Sequence, residues 1–119
     1  QNDLRSLYRR AVAVIVPSLC YEIFPLVMLE AFREKTPVVA RKLGGMAEVI
    51  EDSGGGLAYE SDDELIAGMN LLLDDDSYRR ELGATGYQAF DKYWTPDAHL
   101  DRYFALIREI ASRRGRSLD

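Results

Sequence analysis

The sequence contains one cysteine, Cys20, so it can build neither a disulfide framework nor a cysteine-based zinc site, and its cysteine usage is that of a reducing compartment. It contains one histidine, His99, with no metal ligand or catalytic partner to place beside it, and that residue reads as surface. No apolar run approaches the roughly 20 residues that span a bilayer, and no signal-peptide pattern opens the chain, so the expected location is the cytoplasm. Positive charge is also short. With 15 Lys and Arg against 20 Asp and Glu, a net charge of −5 and a pI near 4.9, the chain lacks the basic surplus of a nucleic-acid or anionic-membrane surface. The basic cluster Arg108, Arg113, Arg114 and Arg116 suits the solvated end of a terminal helix, where cations meet the negative end of the dipole. Internal repeats, low-complexity tracts and long linkers are absent, so the 119 residues, 47% hydrophobic, are expected to form a single domain over 1–119.

What is present is an alternation of short apolar runs with longer periodic segments. The run AVAVIV over 11–16, closed by Pro17-Ser18, has the composition of a strand covered on both faces. Val38-Val39-Ala40 after Pro37 and Leu57-Ala58-Tyr59 after Gly54-Gly55-Gly56 make two more. Helical patterns over 25–35 and 45–51 separate them, and β-α-β-α-β predicts a parallel sheet of about three strands in an α/β fold with helices on both faces. The rest reads as helical. Ser61 to Glu64 is a capping box before the apolar stripe Leu65, Ile66, Met69, Leu72 and Leu73, and Asp74-Asp75-Asp76 is a helix boundary without the spacing of a calcium loop. A further helix is expected over 77–93, weakened by Gly83 and Gly86. Thr95-Pro96 then opens a last helix lined by Leu100, Tyr103, Phe104, Ile107 and Ile110. The opening QNDLRSLYRR is already helical in pattern, with Asp3 as a cap and Leu4, Leu7, Tyr8 and Ala11 at helical spacing, and has the look of a cut inside a longer chain.

Between the first two strands stands YEIFPLVMLEA (21–31), with Glu22 just before an apolar helix and Glu30 inside it. Ligands of open α/β sheets sit beyond the carboxyl ends of the strands, and residues 17–25 form such a loop. Pro25 suits the first helical position, which leaves the amides of Leu26, Val27 and Met28 to meet a phosphate group in a favourable dipole. Eight residues of helix and loop separate the two carboxylates by on the order of 10–15 Å, so they can flank a diphosphate without touching it. Ionised carboxylates only accept hydrogen bonds, which suits paired hydroxyls. Hydroxyls at both ends and phosphates between is the outline of a nucleotide sugar. The residues alone also admit a plainer reading, in which Glu22 caps the helix and Glu30 is solvated or pairs with Arg33. Gly44-Gly45 with Glu48 stands at the same sheet edge, read either as a tight turn with a dipole-favourable acid or as part of the site, and Arg41 and Lys42 are placed to add positive potential or to be solvated.

The stretch VPSLCYEIFPLVMLEAFREKTPVVARKLGGMAEVI resembles the signature of the retaining glycosyltransferases of family 4, the group 1 glycosyltransferases with the GT-B fold: Pro-Ser, Tyr-Glu-x-Phe, Leu-Glu-Ala, Pro-Val-Val-Ala, Gly-Gly-x-x-Glu-Val, and two acids at E-x7-E spacing. The likeness continues more loosely to Tyr93-Trp94-Thr95. It implies a Rossmann-like C-terminal domain that binds a UDP-, GDP- or ADP-sugar and works without a bound metal or other cofactor. It further implies that Glu22 contacts the donor sugar near the reacting carbon, that the amides of Ile23 and Phe24 line the sugar and diphosphate pocket, that Leu26 and Val27 meet phosphate and ribose, and that Glu30 holds the ribose. The family's domain begins upstream of Gln1, so the resemblance implies an acceptor domain and a basic pair outside these residues; no Lys or Arg lies between Ala11 and Ala31. The exposed sheet edge that this leaves is a route to self-association.

Two departures stand out: Pro25 occupies a position where many members have glycine, and Lys35 stands where a helix-ending glycine is usual, which forces a lysine toward positive φ. The rival from another class is a flavodoxin-like receiver or interaction module, but a receiver needs an Asp at a strand end and the first strand ends in Val16-Pro17-Ser18. A nucleotide-sugar epimerase of the same two-domain fold would carry more acids and histidines at the other strand ends.

Overall fold

The computed structural model describes residues 2–115. Helix α1 (Asn2–Arg10) leads into strand β1 (Val14–Val16), followed by α2 (Leu26–Arg33), β2 (Val38–Arg41), α3 (Gly45–Ser53) and β3 (Gly56–Tyr59). Then come α4 (Asp62–Asp74), α5 (Asp76–Ala89), a π-helical turn (Phe90–Trp94) and α6 (Pro96–Arg113). The three strands are parallel in the order β1-β2-β3, with Val14 opposite Val38 and Val38 opposite Gly56. The alternation expected from the sequence is therefore the alternation observed. Because successive side chains point to opposite faces and every second residue shares one, Val16, Val38 and Ala40 meet Met28 and Phe32 of α2 and Met46 and Ile50 of α3 on one face. Ile15, Val39, Leu57 and Tyr59 meet Leu65 and Leu72 of α4 and Leu82 of α5 on the other.

Several elements differ from the sequence reading. The first strand is only three residues long, and Val12 and Ala13 lie outside the ladder. The Val14 amide bonds to the Pro37 carbonyl, and upstream of it the chain of β2 turns away: Pro37 has no N–H, and the Thr36 amide bonds back to Ala31. Of the expected α4 stripe only Leu72 is buried and Leu65 half-buried, while Ile66, Met69 and Leu73 are exposed. On α1, Tyr8 is buried but Leu4 and Leu7 face outward. The apolar stripe of α6 is likewise uncovered, at about half exposure for Tyr103 and Phe104. In each case the helix forms at the expected period, but the described residues supply no surface to cover its apolar face.

Gly83 and Gly86, expected to weaken α5, are buried points of contact. A β-carbon at Gly83 would lie 2.2 Å from the Lys35 carbonyl oxygen, and one at Gly86 2.7 Å from the Phe32 ring, so their small size lets α5 press against α2. The turn and cap chemistry is close to that expected. Ser61 accepts from the Glu64 amide, Asp75 from Tyr78 and Thr95 from Ala98, each starting its helix. Glu64 reaches back one residue beyond Ser61, to the Glu60 amide at 2.6 Å. The expected segment over 77–93 divides at Phe90 into α5 and the π-helical turn, which stacks Trp94 on Phe32 with ring centroids 6.2 Å apart. The basic tail reads as expected at Arg113, paired with Glu109; Arg116 lies outside the described residues.

Candidate functional site

β1 delivers the chain to the carboxyl edge of the sheet at Val16, and the loop over 17–25 carries Glu22, Ile23 and Phe24 to the start of α2. This loop is anchored from the neighbouring strand–helix unit. The Gly45 amide, first in α3, donates to the Glu22 carbonyl at 3.0 Å. Gly44 adopts φ 54, ψ −137, and a β-carbon on Gly45 would lie 2.5 Å from the Glu22 oxygen and 2.6 Å from that of Ile23. The two glycines thus let the start of α3 press directly on the backbone that presents Glu22, a packing role that the sequence left open.

Pro25 is the cap residue of α2 and not its first helical residue: its ψ of 93 is extended and the helix begins at Leu26. The Met28 amide donates to the Pro25 carbonyl at 3.1 Å, which removes it from the expected set of free donors. Leu26 and Val27 keep amides without a helical acceptor. The helix has no capping side chain and no acid in its first turn, whereas Ser61, Asp75 and Thr95 cap α4, α5 and α6. An anion approaching α2 therefore competes with no side-chain oxygen for those amides.

Around this start the side chains are open. Ile23 is 97% exposed, Phe24 and Leu26 are exposed, Glu22 is half-buried, and Val27 packs its side chain against the core. Glu30 follows Leu26 by four residues, so it shares that face one turn, about 6 Å, along the helix. Its Oε2 accepts from the Tyr8 hydroxyl at 3.0 Å, which links α1 to α2 and orients the carboxylate while Oε1 remains available. Burial, and then the hydrogen bond and charge of Glu30, push the Tyr8 phenol above its ordinary 10.0, so this donor stays protonated through neutral pH. Glu30 is thus neither simply solvated nor paired with Arg33. The next residues form a separate knot: Glu34, its side chain 2% exposed, accepts from Arg5 and Arg9 at 2.5 Å each, with Arg33 at 3.4 Å. Burial raises the Glu34 pKa, but the bonds and charges of Arg5 and Arg9 outweigh it and hold the carboxyl below its ordinary 4.5.

Arg41 and Lys42, considered as sources of positive potential, have local partners. The Arg41 guanidinium lies over the Tyr59 ring at 5.2 Å, and Lys42 pairs with Glu60 at 3.3 Å. A feature missed in the sequence is a groove of about 520 Å³ beside the α2 start, where Phe24, Leu26 and Leu29 face Trp94, His99 and Arg102. Its signal was the Tyr93-Trp94-Thr95 turn; what could not be read was that the π-helical turn brings it against α2. Among the described residues no three His, Cys, Asp or Glu side chains converge as metal ligands, and no helix is long and apolar enough to cross a membrane.

Comparison with known proteins gives this geometry a family. The sequence profile of the "Glycosyl transferases group 1" family matches residues 1–89. A D-inositol 3-phosphate glycosyltransferase of Corynebacterium kroppenstedtii is 34% identical over 117 residues, 96% of this chain and 25% of that protein. The enzyme of the same name from Salinispora tropica is 40% identical over 117 residues, 94% of this chain and 24% of its own length. The solved sucrose-phosphate synthase of Thermosynechococcus elongatus superposes with a TM-score of 0.76 at 28% identity, covering 90% of this chain and 27% of that one. The chain spans about a quarter of the length of these relatives. With a family match over most of the chain, two relatives aligned over nearly all of it and the same strand–helix architecture, this chain belongs to the group 1 glycosyltransferases.

Proposed function

We propose that residues 1–119 are the donor-binding part of a retaining glycosyltransferase of family 4, a piece of a longer C-terminal GT-B domain working in the cytoplasm on a UDP-, GDP- or ADP-sugar. The observation that carries this reading is the open start of α2: two amides without helical acceptors at the carboxyl edge of a parallel sheet, between the Glu22 loop and the oriented Glu30 carboxylate. In this reading the amides of Leu26 and Val27 hold the diphosphate, Glu30 accepts from ribose hydroxyls through its free oxygen, and Glu22 with the Ile23 and Phe24 amides faces the sugar. The leaving diphosphate gains charge as the sugar departs, so donors already fixed toward it stabilise the transition state more than the ground state. Glu22 is assigned to the sugar and not to covalent attack; its backbone carbonyl accepts from the Gly45 amide, which anchors the loop that carries it. The acceptor, and the cations that neutralise the diphosphate, come from outside these residues, and the chain alone transfers no sugar.

The test is a backbone NMR titration with UDP, GDP and ADP. Shifts clustered at Ile23, Leu26, Val27 and Glu30, weakened in Glu30→Gln, are expected; shifts elsewhere, or none at millimolar nucleotide, would overturn the assignment.

A further inference from the structure

The opposite edge of the sheet carries a second polar concavity. At the amino ends of β1 and β2, Arg9 and Arg10 from the end of α1, Lys35 from the turn after α2, and Arg79 and Arg80 from α5 line a cavity of about 250 Å³ floored by Thr36. Five of the 15 Lys and Arg of an acidic chain meet in this space. Two carboxylates pair with them: Glu34 takes Arg9 but is shared with Arg5 and Arg33, and Asp76 takes both Arg79 and Arg80. Arg79 also donates to the Leu72 carbonyl at 3.0 Å, so the cations with the fewest partners among the described residues are Arg10, which bonds only to the Ser6 carbonyl at 3.3 Å, and Lys35, whose ammonium lies over the Tyr87 ring at 5.0 Å. The carbonyl ends of α1 and α2 each present about half a negative charge, too little to balance the remainder.

An independent observation concerns the Lys35 backbone. Lys35 has φ 59 and is the one non-glycine with positive φ among the described residues. Its carbonyl is pressed by Gly83 of α5, so the turn is fixed in this conformation, and glycine would adopt it without the strain of a β-carbon. Strain kept at such a position points to a use for the side chain.

We propose that this cavity is a binding site for a phosphate-type oxyanion, separate from the α2 start and independent of the donor-site reading. Guanidinium forks match phosphate oxygens in bidentate fashion, and Lys35, which lines the same cavity, adds a point charge on a flexible stem. The acidic balance of the whole chain does not oppose this, because the relevant field is that of a concavity lined by cations and screened beyond about 10 Å.

The experiment is a residue-resolved NMR titration of the full chain with inorganic phosphate and with glycerol phosphate, together with sedimentation of the chain with phosphatidylcholine vesicles with and without phosphatidic acid. Saturable shifts are expected at Arg10, Ala11, Lys35, Thr36 and Arg80, with affinity at least fivefold weaker in Lys35→Gly and in Arg10→Gln. Lys35→Gly should meanwhile melt at or above the temperature of the unsubstituted protein, because it relieves the positive-φ strain; loss of binding then cannot be assigned to unfolding. Binding to the soluble phosphates alone identifies a soluble ester as the ligand class, and Lys35-dependent sedimentation with phosphatidic acid identifies a lipid headgroup. Shifts confined to the α2 start, or affinity for every probe unchanged in both variants, would overturn the proposal.

Discussion

Gly45 shows how one missing methyl group can hold a site. Its amide reaches the Glu22 carbonyl because the start of α3 lies against the loop, and a β-carbon there would sit inside contact distance of two backbone oxygens. Neither oxygen can swing away as a side-chain tip would. Gly45→Ala should therefore cost about 1–3 kcal/mol, the usual range for overpacking, although alanine is the better helix former. Chemical denaturation checks the cost, and amide shifts confined to 20–26 and the start of α3 check the cause; a neutral substitution would show that the loop is not held there. Glu34 is the corresponding residue on the other side of α2. Its folded pKa lies below the ordinary 4.5, so it favours the folded state above that value and loses this contribution as pH falls from 4.5 through the lowered pKa. Hydrogen bonds to charged groups, discounted because Arg5 and Arg9 are about half exposed, put the effect of Glu34→Gln at about 1–2 kcal/mol at pH 7. The stabilities of the two proteins should converge below pH 4.5 in urea melts; a gap that persists unchanged at acid pH would contradict the ion-pair account.

Among the elements, what the sequence revealed was what depends on neighbours along the chain. Ser61, Asp75 and Thr95 act as caps because capping is decided within four residues, and the three strands stand near their apolar runs. What it hid depends on distant chain. The ladder of β1 is shorter than its apolar run because Pro37 and Thr36 end the partner, Pro25 caps α2 instead of entering it, and Gly83 serves contact with Lys35. The candidate site divides in the same way: spacing left Glu22 and Glu30 open between a structural and a binding role and only the family resemblance singled them out, while the Gly45 anchor, the Tyr8 bond to Glu30 and the Trp94 groove required the tertiary structure. Helix α6 carries this to its limit. Its 18 residues have a readable apolar stripe, yet its described contacts fall chiefly on the π-helical turn and most of the stripe is exposed. Most of the stability of a protein helix comes from packing its amphipathic face, and little of this one is packed. Amides of α6 beyond Tyr103 should consequently exchange with solvent orders of magnitude faster than those of Val38 to Ala40, which sit in the sheet core. Equal protection in hydrogen-exchange measurements would mean that α6 is covered in solution.

At the scale of the whole molecule, α6 accounts for the dimensions: the chain measures 57 × 29 × 25 Å with a radius of gyration of 17.1 Å, against about 13–14 Å for a compact domain of this size. The charge distribution has a parallel consequence for binding. No Lys or Arg occurs between Ala11 and Ala31, so a diphosphate at the α2 start meets amides and a helix dipole without a counter-charge from that segment. Such a dipole contributes about 0.3–2 kcal/mol, at most a factor of about 30 in affinity. Most of the binding energy of a nucleotide sugar would have to come from base contacts and cations that this segment does not supply, and on the proposed reading this chain by itself should bind UDP, GDP or ADP with Kd in the millimolar range. Adding salt should weaken that binding further, because the interaction of an anion with a solvent-exposed helix end is screened by salt. Calorimetry or the NMR titration at two ionic strengths measures both quantities. Micromolar affinity, or detectable hydrolysis or transfer of a nucleotide sugar by this chain, would show that the diphosphate is neutralised within these 119 residues, and Arg41, Lys42 and Arg102 would then be the first cations to replace.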